Sequence, residues 1–143
     1  GEIPLKENPL YHEYLEQYGD MIVHERMTMK TYIEKTKRSA FVFNTPSVVG
    51  CHGWKLAEYL AMGKAIISTP LTNMMPGIFE KNIHYIEAKN AEEITAAVKE
   101  LREHPEKLRQ LKENAKSYYN QYLTPTAVMN RILSRVSAKC KYQ

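Results

Sequence analysis

Hydrophobic positions in this chain fall into two kinds of segment: short unbroken apolar runs, and longer stretches spaced for one face of a helix. Ala40-Phe41-Val42-Phe43 and Ala65-Ile66-Ile67 are apolar runs of the buried-strand type. Between them, Trp54 to Met62 lacks Gly and Pro and is rich in Leu, Ala, Lys and Glu, which are good helix formers. Gly53 stands where this helix opens. Gly63 stands where it must stop, in a position that favours a left-handed C-terminal cap. The first run ends in Asn44-Thr45-Pro46-Ser47, a cluster of turn formers. Strand, loop, helix and strand in this order predict the parallel crossover unit of an α/β protein.

The flanking segments extend the pattern. Glu2 to Pro9 carries two prolines and reads as an extended lead-in. Leu10, Tyr14 and Tyr18 share one helical face, closed by Gly19-Asp20. Met21-Ile22-Val23 is a strand candidate leading into His24-Glu25-Arg26, and Met29 to Lys37 fits a helix with Thr28 as N-cap and Tyr32 and Ile33 inward. Thr69 to Gly77 is the longest loop. Phe79 begins a short turn, and Ile83 to Ile86 is a fourth strand. Asn90 and Glu93 form a capping box ahead of Ile94, Ala97, Val98 and Leu101 at i, i+3, i+4 and i+7. Pro105 opens a helix with Leu108, Leu111, Ala115 and Tyr118 inside; Thr124-Pro125 opens the last, with Val128, Ile132 and Val136 as its stripe. The expected architecture is a three-layer Rossmann-like α/β domain. It has about four parallel strands, helices on both faces and a helical C-terminus, formed by residues 1–143 as a single domain.

Composition changes this picture little. The net charge of +4 comes from cations dispersed among acids, which argues for a solvated mixed surface and against a nucleic-acid partner. No apolar run is long enough to span a bilayer. Cys51 and Cys140 lie far apart and match no metal-ligand spacing, and no segment has zinc or calcium spacing. The expectation is a cytoplasmic protein with reduced thiols and neither metal nor cofactor.

Candidate chemistry follows from the crossover unit. A loop leaving the carboxyl end of a parallel strand for a helix N-terminus presents free N–H groups and a positive dipole end, and phosphate is the usual anion there. Gly50 and Gly53 leave room for a ligand against the backbone, and Lys55 adds a cation in the first turn. Glu58 lies five residues beyond Gly53, roughly 7.5 Å along the axis at helical rise, within reach of a sugar hydroxyl rather than of the phosphate. Phosphate beside sugar describes a nucleotide. The bland reading is a common glycine-flanked helix start with Lys55 and Glu58 solvated. His52 is either a donor to phosphate or sugar oxygen or a loop residue paired with backbone. Arg26 either touches base or phosphate or is simply a surface residue. Thr72 and Asn73, with Thr69, either reach a donor sugar or belong to a structural connection whose methionines pack on the core. Trp54 reads as a packing residue at the helix start.

The stretch Gly53-Trp54-Lys55-Leu56-Ala57-Glu58-Tyr59-Leu60-Ala61-Met62-Gly63-Lys64-Ala65-Ile66-Ile67 resembles the donor-binding segment of GT-B glycosyltransferases of the "glycosyl transferases group 1" type. The likeness continues through Phe79-Glu80-Lys81-Asn82-Ile83-His84-Tyr85-Ile86 and the helices beyond. It implies that Glu58 contacts the ribose of a nucleotide-diphosphate sugar and that the preceding Gly-rich turn faces the diphosphate. Many members carry a second Glu eight residues earlier that contacts the donor sugar; that position is Gly50 here. The resemblance also implies a partner N-terminal acceptor domain in a longer two-domain enzyme, with peripheral membrane contact and an edge-strand oligomer as further expectations. A nucleotide-sugar epimerase of the same fold and a non-catalytic nucleotide-binding module are the alternatives.

Overall fold

The computed structural model describes residues 10–21 and 27–139. The chain parts into two compact units, residues 1–35 and 36–143.

In the first unit, α1 (Leu10–Tyr18) runs into a 3-10 turn at Gly19–Met21. The face shared by Leu10, Tyr14 and Tyr18 is largely exposed, and the Tyr14 and Tyr18 rings lie 5.9 Å apart. Met21 therefore closes a helical turn rather than starting a strand, because the 3-10 turn continues α1 beyond Gly19-Asp20. The remainder of that strand candidate, with His24 and Arg26, lies outside the described residues. Next comes α2 (Met29–Arg38), whose residues from Thr36 onward belong to the second unit. Thr28 caps it as expected, its Oγ1 accepting from the Thr31 N–H at 3.2 Å.

The second unit holds β1 (Phe41–Asn44), α3 (Trp54–Ala61), β2 (Ala65–Ser68) and β3 (Ile86–Glu87). Helices α4 (Ala91–Glu103), α5 (Pro105–Tyr118) and α6 (Pro125–Lys139) follow. The strands make a parallel three-stranded sheet in the order β1-β2-β3, with Phe41 opposite Ala65 and Ile67 opposite Ile86. The protein is thus α/β with a small parallel sheet. The strand expected at Ile83–Ile86 is displaced to Ile86–Glu87. Asn82, at φ 64°, makes a tight turn closed by its N–H to the Tyr85 carbonyl, and only an isolated Lys81–Tyr85 bridge precedes the strand.

Side chains alternate across a strand, so Ala65 and Ile67 point to one face. There they join Ile86, Ala88, Ala97 and Leu101 of α4 and Leu111 of α5 in one buried core. The Asn90 cap is formed as expected, its Oδ1 accepting from the Glu93 N–H at 2.9 Å. Gly63 adopts φ +60° just after α3, and a single residue separates it from β2. That residue, Lys64, is only 6% exposed. Its ammonium donates to the carbonyls of Lys37 and Ser39 at 2.5 and 2.9 Å. Of the stripe expected for α6, Val128 is half-buried, but Ile132 and Val136 are exposed. The helix packs mainly on the π turn Tyr119–Leu123 that precedes it and continues past that support. Among the described residues, no helix is long and apolar enough to cross a membrane.

Behind the long loop, Phe79, His84, Tyr85, Tyr118 and Tyr122 pack ring against ring, with centroids 4.6–5.2 Å apart. The buried Tyr118 hydroxyl donates to the Pro76 carbonyl and so anchors the loop from below. Burial pushes the Tyr118 phenol up to about 12, with Tyr122 adding to the rise and Arg131 opposing it. Burial also raises Tyr85, and the Glu87 carboxylate raises it further. A phenol raised on folding contributes stability that is complete below its unfolded pKa of 10.0 and is lost as pH climbs through the folded value. The melting temperature should therefore fall as pH rises from 10 towards 12, and less steeply in Tyr118→Phe. Parallel slopes in the two proteins would show that another group is responsible.

Candidate functional site

The carboxyl ends of β1 and β2 feed two loops, residues 45–53 and 69–77, that meet beside the start of α3. Their junction is a pair of hydrogen bonds. Asn73 Nδ2 donates to the Gly50 carbonyl at 2.9 Å, and the Asn73 carbonyl accepts from His52 Nε2 at 2.9 Å. The bond to a carbonyl places the proton of a neutral His52 ring on Nε2 and leaves Nδ1 as an acceptor.

The first loop is wound tightly. Val48–Gly50 makes a 3-10 turn, and the Ser47 N–H reaches the Cys51 carbonyl at 2.8 Å. Val49 lies at φ 57°, where a β-branched residue is a genuine outlier, and Gly50 follows at φ +69°. A Cβ on Gly50 would sit 2.6 Å from Thr72 Oγ1. A side chain at this position, where the resembled enzymes carry a carboxylate, would have to displace the Thr72 hydroxyl. The positive φ of Gly50 strains any residue with a Cβ, so backbone conformation and the neighbouring Thr72 both favour glycine there.

Gly53 is the N-cap of α3, extended at φ −69° and ψ 159°, with no side-chain cap bond. Of the first-turn N–H groups that follow, that of Leu56 bonds the Gly53 carbonyl at 3.1 Å, while those of Trp54 and Lys55 come too early to meet a carbonyl of their own helix. Lys55 projects from this turn, exposed, and Glu58 lies one turn further, half-buried and already engaged with another group of the chain. A pocket of about 410 Å³ opens here, lined by His52, Gly53, Trp54, Leu56, Ala57, Met75 and Leu123. That volume falls within the range of small-molecule sites.

The structure therefore brings Gly50, His52, Thr72 and Asn73 into one cluster, with Gly53 and Lys55 at the adjoining helix start and Glu58 behind them. Arg26 lies outside the described residues. Trp54 corrects the sequence reading. It is 89% exposed rather than packed, because the buried face of α3 is set by Leu56, Tyr59 and Leu60. The loop methionines divide: Met74 is 97% exposed, and Met75 is half-buried in the pocket wall.

Sequence reasoning missed Asn44 and Ser68. They face each other in register at the carboxyl ends of β1 and β2, and both are buried. Asn44 Nδ2 donates to Ser68 Oγ at 2.9 Å, and Ser68 Oγ donates to the Thr69 carbonyl at 2.8 Å. The Thr69 N–H returns to the Asn44 carbonyl at 3.2 Å, so the roots of both loops are tied at one point. Among the described residues, Asn44 Oδ1 and His52 Nδ1 are buried acceptors with no hydrogen-bond partner. The available signal was a polar residue ending each apolar run. No group of three or more His, Cys, Asp or Glu side chains is arranged to hold a metal ion among the described residues.

The sequence profile of a family described as glycosyl transferase-like matches residues 6–134. No curated protein matches the chain.

Proposed function

The chain belongs to the glycosyl transferase-like family, and from that premise we propose that it is the donor-binding part of a GT-B glycosyltransferase. In this reading its small parallel sheet is the centre of a Rossmann-like domain, and the enzyme moves a sugar from a nucleoside-diphosphate sugar to a glycan, lipid or polysaccharide-precursor acceptor. The observation that carries the reading is the junction of the two loops at the uncapped start of α3. Gly50, His52 and Asn73 are held there by mutual hydrogen bonds at the carboxyl edge of the sheet.

Each part has a task that its chemistry suits. The first-turn N–H groups after Gly53, with the helix dipole and the Lys55 ammonium, receive the diphosphate. As the glycosidic bond to phosphate breaks, negative charge grows on the departing oxygen, and these fixed donors stabilise it without reorganising. Glu58 accepts from the ribose hydroxyls. Thr72 and Asn73 border the sugar. Holding the loops together keeps the donor in one orientation, which lowers the entropic part of the barrier. No side chain of the cluster is assigned as general base.

Calorimetric titration with uridine, guanosine and adenosine diphosphates tests the proposal. One of them is expected to bind, with affinity that falls as salt rises, since a phosphate contact is partly screened. No heat with any of the three would sink the reading.

A further inference from the structure

Trp54 is the only tryptophan in the chain, and the structure leaves its indole open to solvent, at 89% exposure. Side chains of this size are normally most of the way buried. It has apolar company on the two tied loops, where Val48, Val49 and Met74 are also exposed. Its own pocket is mixed in character. Leu56, Met75 and Leu123 supply an apolar wall, while His52 and the helix start at Gly53 supply polar groups.

A hexopyranose has this same division. One face of the ring presents C–H groups that pack on a flat aromatic surface, and its rim carries hydroxyls that need hydrogen-bond partners. His52 Nδ1 is a buried acceptor lacking a donor, on a residue of the pocket lining. An acyl chain or a protein's apolar face would suit the wall but would strip water from the first-turn N–H groups and return no acceptor, which is costly. We propose that Trp54 is the stacking platform for the hexopyranose ring of a nucleoside-diphosphate sugar, seated in the pocket at the first turn of α3. The proposal rests on the donor-binding reading above and names the group that holds the transferred sugar.

Fluorescence of the 143-residue chain, excited beyond the absorption of its ten tyrosines, reports Trp54 alone. Emission should be that of a water-exposed indole without ligand. It should shift to the blue on titration with the sugar nucleotide (UDP-glucose, GDP-mannose or ADP-glucose) by more than with the matching free diphosphate. Calorimetry on Trp54→Ala should show the sugar nucleotide bound roughly 3- to 10-fold more weakly, the range of one aromatic contact, and the diphosphate unchanged. Trp54→Phe should recover most of the loss. Equal shifts for sugar nucleotide and diphosphate overturn the platform and leave the nucleotide site standing. So does an indole already shielded without ligand, or a Trp54→Ala loss that is equal for both ligands or absent. If no diphosphate and no sugar nucleotide binds by calorimetry, the donor-binding reading falls and the stacking platform falls with it.

Discussion

Replacing Glu58 by Ala is expected to weaken nucleoside diphosphate binding by about 1.5–3 kcal/mol, the range for hydrogen bonds to a charged group. That is a loss of roughly 10- to 150-fold in affinity. The carboxylate lies one turn inside α3, beyond the first-turn groups that would hold phosphate, where a ribose attached to that phosphate comes into range. Ala is the better helix former, so α3 itself should not suffer. Glu58 is half-buried and has an interaction within the chain, and the measurement must therefore separate two roles. Calorimetry and thermal unfolding on the same variant do so. A large loss of affinity with a nearly unchanged melting temperature assigns Glu58 to the ligand. A fall in melting temperature matching the loss of affinity would make it a structural residue instead.

Lys64→Met should lower the stability of the second unit by about 2 kcal/mol, within the range for buried polar groups deprived of a partner. Met fills much of the same space but cannot donate, so the Lys37 and Ser39 carbonyls lose the ammonium that now satisfies both. Those carbonyls belong to the end of α2 and the link into β1, and Lys64 immediately precedes β2. The side chain thus clamps the amino ends of two neighbouring strands. Burial, and secondarily the Lys112 ammonium, lower the Lys64 pKa, so part of the gain is already offset by the cost of holding a cation there. A denaturant midpoint indistinguishable from the parent would show that the clamp contributes nothing net.

Much of this protein could be read without coordinates, and for a consistent reason. The apolar runs, the Gly53 and Gly63 boundaries of α3, the Thr28 and Asn90 caps and the stripe of α4 are local features. A backbone conformation or a period decides each of them within a few residues. The misses are equally consistent. Trp54 looked like core because it is large and apolar, but the faces of α3 are decided by which side meets β1 and α5. Ile132 and Val136 sit at the right spacing on a helix that outruns its support. The strand at Ile83–Ile86 lost most of its length to the turn at Asn82, whose positive φ no apolar count reveals.

The candidate site divides the same way. Sequence alone identified a crossover unit and a glycine-flanked helix start, and it singled out Gly50, His52, Gly53, Lys55 and Glu58 as candidates there, because these residues lie within one short segment. It also placed Thr72 and Asn73 at the same sheet edge, since both loops leave parallel strands. Only the tertiary structure decided that Asn73 bonds Gly50 and His52, that Thr72 occupies the space a side chain at position 50 would need, and that Asn44 and Ser68 join the loop roots. Those contacts span 21 to 24 residues of sequence. Hydrogen bonds of that range form only where strand register brings the loops together, and register is a property of the packed sheet, not of any one segment.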